Sequence, residues 1–179
     1  MMPRFQIHGS AMLDALTIVI FPALMTYAAF SDLFTMTISN WISILLVAVF
    51  VALALLLGLP AATIGWHFVA GLIVLAITFT FFAFGWIGGG DAKLAATTAV
   101  WMGFDHVAEY GLGSAVIGGV LTLLLLKFRR LPMPEWAKAR GWLMRLHDPE
   151  TGVPYGIALG VAGLILYPET QIFIAALGV

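Results

Sequence analysis

The sequence contains no cysteine, which excludes a disulfide framework, a thiolate zinc site and a cysteine nucleophile, and leaves the redox state of its compartment unmarked. Charge is almost as scarce. Only 9% of the 179 residues are charged, against roughly 25% in an ordinary soluble domain. The formal net charge of −1 offers no basic surplus for nucleic acid and no acidic tail. Internal repeats, low-complexity tracts and dividing linkers are also lacking, so residues 1–179 read as a single domain. What the chain does have is hydrocarbon: 62% of its residues are hydrophobic and its mean hydropathy is +1.06. It reads as an integral membrane protein whose partners lie in or beside the lipid bilayer.

A helix rises about 1.5 Å per residue, so a bilayer core of about 30 Å takes about 20 apolar residues. Five stretches meet or approach that length: Leu13 to Phe30, Trp41 to Leu59, Ile64 to Phe84, Leu112 to Phe128 and Tyr155 to Leu177. A sixth, Ala92 to Phe104, reaches only about 20 Å. The sequence therefore predicts an all-α, polytopic fold of about six transmembrane helices, one of them short. The first apolar run is too long for the core of a signal peptide and is expected to be retained as a span.

Six of the eight Lys and Arg residues (Lys127, Arg129, Arg130, Lys138, Arg140 and Arg145) crowd one stretch. The positive-inside rule puts that loop, about residues 127–154, in the cytoplasm. Counting back through six spans makes loops 31–40 and 85–91 cytoplasmic as well and leaves the N-terminus outside. Asp32 and Asp91 then emerge on the same face, an inference that holds only if the short helix spans. Within the basic loop, "PMPEWAKARGWLMRL" opens on prolines suited to a helix start, and Trp136, Leu143 and Leu146 recur at helical spacing. That pattern predicts an amphipathic helix in the interface, facing anionic head groups or acidic residues of a partner.

Chemistry concentrates in "GWIGGGDAKL", residues 85–94. Asp91 suits a helix N-cap, and Asp32 with Ser31 suits a loop turn. Capping, however, does not require Gly88, Gly89 and Gly90, each of which adds backbone freedom that folding must remove. Three glycines let another backbone approach, and exposed peptide groups at membrane depth persist only in protein or along a wet cavity. The stretch thus predicts a water-accessible notch that seats a peptide beside a carboxylate. Two carboxylates on one face suit paired acid/base work, one ionised to take a proton from water and one protonated to polarise a carbonyl, with two separated macroscopic pKa values. Such a pair needs no metal and no cofactor.

These residues carry a resemblance. "GGGDAKL" at 88–94, an Asp at the end of an earlier span and "VPYGIALG" at 153–160 resemble the type IV prepilin peptidase family of GxGD intramembrane aspartic proteases. The short chain is similar to the small, peptidase-only members found with tight-adherence, Flp-type pilus systems. The resemblance covers about Ala28 to Gly160 and implies catalytic roles for Asp32 and Asp91. It implies cleavage of a membrane-bound prepilin's leader peptide, after a glycine, at the cytoplasmic face of the bacterial inner membrane. After the first Asp the family commonly shows a basic residue and then Ile-Pro-Asn; here the chain reads Met36, Thr37, Ile38, Ser39, Asn40, so that Asn40 matches and the proline, replaced by Ser39, does not. Larger members add a cysteine-rich zinc region and methylate the cleaved pilin. This chain has no cysteine, and neither a zinc domain nor a methyltransferase activity is expected.

Other candidates have plainer readings. Lys93 stands about 200° around a helix from Asp91, so snorkelling to the interface is expected before a substrate or lipid contact. Tyr155 fits interface anchoring as well as the family's PYG feature. Gly156 and Gly160, extended by Gly163, form a small face for close helix packing. His67, Asp105, His106 and Glu109 lack a metal-binding spacing, and the last three are expected in a solvated outer loop. "GLGSAV" at 111–116 lacks the order of a serine nucleophile motif. Two other functions compete with a peptidase: a small transporter or channel subunit using membrane carboxylates, and a non-catalytic pilus assembly factor. The first predicts carboxylates near mid-span and paired broken helices; the second leaves the three glycines unexplained.

Overall fold

The computed structural model describes the backbone of residues 7–178 and the side chains from Met12 onward. The expected placement of the N-terminus falls on residues 1–6, outside the described residues. Among the described residues the fold is all helical: α1 (Ile7–Thr35), α2 (Asn40–Leu56), α3 (Ala61–Ala83), α4 (Gly89–Arg129), α5 (Glu135–Lys138), α6 (Gly141–His147) and α7 (Gly156–Leu166), then a 3-10 turn (Tyr167–Glu169) and α8 (Gln171–Leu177).

The six expected spans become three helices long and apolar enough to cross a bilayer, α1, α3 and α4, or four when the bent α7–α8 pair counts as one. Two causes account for the difference. Trp41 to Leu59 is realised as the 17-residue α2, and the expected spans at 92–104 and 112–128 are two limbs of α4. Straight, 41 residues would run about 60 Å, twice a bilayer core. Instead Gly103 breaks the helix at φ 61°, ψ −173°, a region essentially reserved for glycine. Asp91 and Ser114 would stand about 35 Å apart on a straight helix, yet both line one cavity, so α4 doubles back at Gly103. The turn is packed as well as bent. A side chain on Gly103 would meet the His67 ring at 2.8 Å, and His67 Nδ1 sits 2.7 Å from the Val100 carbonyl.

Residues 105–111, expected as an outer loop, are helical and open the second limb of α4. The expected amphipathic helix also differs: α5 and α6 are separate short helices, parted by the extended Arg140. Trp136 is exposed and Leu146 buried, so they do not share a lipid-facing stripe. Arg129 holds this segment down by donating to the carbonyls of Leu146, Thr151 and Gly152, and Arg145 donates to that of Phe34. Trp142 meets Phe34 edge-on at 5.2 Å. The basic segment therefore lies at the end of the bundle where α1 finishes.

The core sits between α1, α2, the first limb of α4 and α7. Phe21 stacks on Tyr167 at 4.4 Å and meets Trp101 at 4.7 Å, while Trp101 Nε1 donates to the Leu46 carbonyl at 3.1 Å. Small residues bring α7 close: a side chain on Gly160 would crowd Ala29 and Met25, and one on Gly163 would crowd Met25 and Thr98. By contrast α3 buries only His67, Ala70 and Gly71 and exposes Leu72, Ile73, Ile77, Phe81 and Phe82. A helix apolar on nearly every side belongs in lipid.

Candidate active site

Asp32 lies in the last turn of α1, and Asp91 in the first turn of α4. Three connecting segments converge around them. Ile38, between α1 and α2, touches the position of a Gly90 side chain at 3.1 Å and that of a Gly156 side chain at 2.8 Å, which joins the starts of α4 and α7 to the end of α1. Asp91 is near enough to feel the charge of Asp32, and the charge of Asp91 reaches Tyr110 and Tyr155.

Each aspartate is held through one oxygen. Asp32 is 5% exposed, and its Oδ2 accepts the Gly156 N–H at 2.7 Å. A side chain at position 156 would stand 2.8 Å from that oxygen, so glycine is what admits the contact. Asp91 Oδ2 accepts the Gly88 N–H at 3.2 Å, the reciprocal half of a capping box. Its Oδ1 is buried and has no protein partner among the described residues. Capping and an available carboxylate oxygen thus coexist in one residue.

The room expected for a substrate backbone beside Gly88, Gly89 and Gly90 is taken by the chain itself. Side chains there would meet Asp91 Oδ2 at 3.0 Å, the Phe82 ring at 3.3 Å and Ile38 at 3.1 Å. The glycines pack the carboxylate's own surroundings, and the open space lies on another side of Asp91. There a cavity of about 620 Å³ runs between α3, both limbs of α4 and the start of α7.

The loop after Asp32 is set by its own polar groups. Met36 adopts a left-handed φ of 54°, Ser31 Oγ donates to the Thr37 carbonyl at 2.9 Å, and the Thr35 and Thr37 hydroxyls meet at 2.7 Å. Ser39, standing where the family usually has proline, holds φ −65°, the angle proline would impose. The backbone there is proline-like without the ring. Asn40 Oδ1 accepts from Lys93 Nζ at 2.8 Å, tying the start of α2 to α4. Lys93 therefore faces Asn40, and no ion pair with Asp91 occurs among the described residues.

The sequence pattern marked Gly156 for helix packing, set Ser114 aside as a nucleophile and gave no sign of Tyr110; the fold places the Gly156 amide on Asp32 and lines the cavity beside Asp91 with Tyr110 and Ser114. The Tyr155 ring lies where a Gly118 side chain would be, and its hydroxyl donates to the Ser114 carbonyl at 3.3 Å. The spacing of "VPYG" and "GLGSAV" gives no sign of that meeting. His67 and Asp105 instead bracket Gln171, with His67 Nε2 at 3.3 Å and Asp105 accepting at 2.7 Å. His106, Glu109 and Glu169 present ligand atoms within 4.8 Å of one another, but both carboxylates are exposed. They lie about 20 Å along α7 from Gly156, away from the aspartates.

No curated protein and no solved structure matches the chain. A family model described as the type IV leader peptidase family matches residues 19–123, which include Asp32, Asn40, Gly88 to Asp91, Lys93, Tyr110 and Ser114 but not Tyr155 or Gly156. With that match over more than half its length, the chain belongs to the type IV leader peptidase family and is a membrane peptidase.

Proposed function

We propose that the protein is an aspartic endopeptidase that removes the leader peptide of a Flp-like prepilin at the cytoplasmic face of the inner membrane, with Asp32 and Asp91 as its acid/base pair. One observation carries this reading: two carboxylates from different helices meet at one end of an apolar bundle, each fastened to a backbone N–H through Oδ2. Restraint through one oxygen leaves the other for chemistry. A water between the carboxyl groups loses a proton to the ionised one as its oxygen attacks the scissile carbonyl, while the protonated one gives its proton to the carbonyl oxygen. The tetrahedral diol then collapses: the C–N bond breaks as the leaving nitrogen takes the proton of the protonated carboxyl group, a diol hydroxyl gives its proton to the other, and a carboxylic acid and an amine depart with the pair again singly protonated. Placement of the basic segment beside the end of α1 supports a cytoplasmic site, because Lys and Arg gather on that side of the membrane.

The test is processing of a co-expressed Flp-type prepilin, read as a gel shift, by the wild type, Asp32→Asn and Asp91→Asn at matched expression. Asn keeps the shape and removes the titratable group, so each variant is expected to lose about 10²–10⁴-fold in rate. Processing that survives both substitutions overturns the aspartic mechanism.

A further inference from the structure

Ile38 touches the supports of both aspartates. Its Cβ lies 3.1 Å, and its backbone N and O each 3.4 Å, from where a Gly90 side chain would be, and Gly90 precedes Asp91 in the first turn of α4. At the other end of the side chain, Cδ1 lies 2.8 Å from where a Gly156 side chain would be, and the Gly156 N–H holds Asp32 Oδ2. A methyl group at either glycine would press on this one residue. The missing side chains at 90 and 156 leave the room that Ile38 fills, so a single isoleucine reaches from the start of α4 to the start of α7.

The loop is built to deliver it there. Met36 turns the chain back at φ 54°, and Ser31 Oγ donates to the carbonyl of Thr37 at 2.9 Å. Directly afterwards the Ile42 N–H donates to the Ser39 carbonyl at 3.1 Å as α2 begins. Isoleucine branches at Cβ and is stiff at χ1. Held at its root and meeting backbone at both ends, such a side chain sets a distance, where a flexible methionine would only fill space.

Two carboxyl groups that share one attacking water need a gap held within narrow limits. Both must reach the water, and their mutual repulsion must leave one protonated and one ionised. Each is fastened to a backbone N–H of its own, Gly88 for Asp91 and Gly156 for Asp32. The gap is therefore a property of two backbone segments, and Ile38 packs against both.

We propose that Ile38 is a positioning residue for the reaction, a spacer whose length sets the gap between the Asp32 and Asp91 carboxyl groups. It acts through Gly90 and Gly156. This inference rests on the peptidase reading above and names what keeps its acid/base pair at working distance. A shorter side chain lets the starts of α4 and α7 settle toward each other, because a site emptied of methyl groups relaxes partly into the space. The carboxyl groups then close up, and the two proton-binding steps of the pair move further apart.

The experiment uses the purified full chain in detergent with a purified Flp-type prepilin as substrate. Ile38→Val removes the methyl group that reaches Gly156, and Ile38→Ala removes most of the side chain. Misplacement by about 1 Å costs about 10² in rate, so kcat is expected to fall about tenfold in Ile38→Val and about 10²-fold in Ile38→Ala, with KM little changed. A second readout needs no turnover. With isotope-labelled aspartate carboxyl carbons, the resonances of Asp32 and Asp91, assigned by their loss in Asp32→Asn and Asp91→Asn, are followed against pH. The two steps are expected to lie further apart in Ile38→Ala than in the wild type, with Ile38→Val between them. Unchanged kcat in both variants, or a separation that stays the same or narrows, overturns the spacer. If Ile38→Ala does not fold, Ile38→Val decides the matter, since it loses a single methyl group. Cleavage that survives Asp32→Asn and Asp91→Asn overturns the peptidase reading instead, and the titration still decides on the spacer.

Discussion

Asp91 divides its labour between two oxygens, one closing the start of α4 and one left without a partner, while Asp32 depends on a single backbone amide for its pose. That dependence makes Gly156 a positioning residue. In Gly156→Ala the new methyl would stand 2.8 Å from Asp32 Oδ2, so the carboxylate must move. Misplacement of a reacting group by about 1 Å costs about 10² in rate, and that fall in kcat is expected, with the melting temperature in detergent changing far less. An unaltered kcat would show that Asp32 does not need this amide. Ser39 predicts the opposite behaviour. Its φ of −65° already suits proline, so Ser39→Pro is expected to keep activity and to add about 0.4–1 kcal/mol by restricting the unfolded chain. Loss of activity in that variant would mean that the 36–39 loop must change shape during the reaction.

Among the elements, α4 carries most of the architecture because it reverses. Its first limb packs into the core through Leu94, Val100 and Trp101, and its second returns to bring Tyr110 and Ser114 to the same cavity as Asp91. Gly103 is the pivot, and its backbone angles bar other residues. Gly103→Ala is expected to cost about 1–3 kcal/mol from backbone strain, and more from the collision with His67 at 2.8 Å. Gly119 supplies the contrast on the same helix. Nothing lies within 4 Å of a side chain placed there, so Gly119→Ala is expected to stabilise by about 0.4–1 kcal/mol. Thermal unfolding of both variants in one detergent decides the matter; equal effects would remove Gly103 from its role as pivot. The two apolar runs ending at Phe104 and starting at Leu112 called for a reversal between them; what the sequence did not show is its form, because the single glycine of "WMGFD" is compatible with a straight helix, and the structure makes the turn at Gly103 with helix resuming directly after it.

At the scale of the molecule, the aspartates, the 36–39 loop and the basic segment share one end, while His106, Glu109 and Glu169 mark the other. The lack of native cysteine makes orientation directly measurable. Lys138→Cys and Glu109→Cys, both on exposed side chains, are expected to label with a membrane-impermeant maleimide from opposite sides, the former from the cytoplasm. Labelling of both from one side would overturn this placement of the two ends. By itself the sequence determined residence in lipid and helical class, because hydropathy and apolar run length are sums over neighbouring residues. It also singled out the glycine-aspartate stretch, because a charge and three glycines together are rare among apolar runs. The number of spans escaped it, since apolar run length alone cannot tell a helix that crosses the bilayer from one that stops short of it. Only the tertiary structure decided that the Gly156 amide holds Asp32 across 124 residues, that the three glycines admit Ile38 and Phe82, and that Tyr110 and Ser114 line the same cavity as Asp91. Those outcomes depend on which faces of distant helices pack together, and no local pattern records that choice.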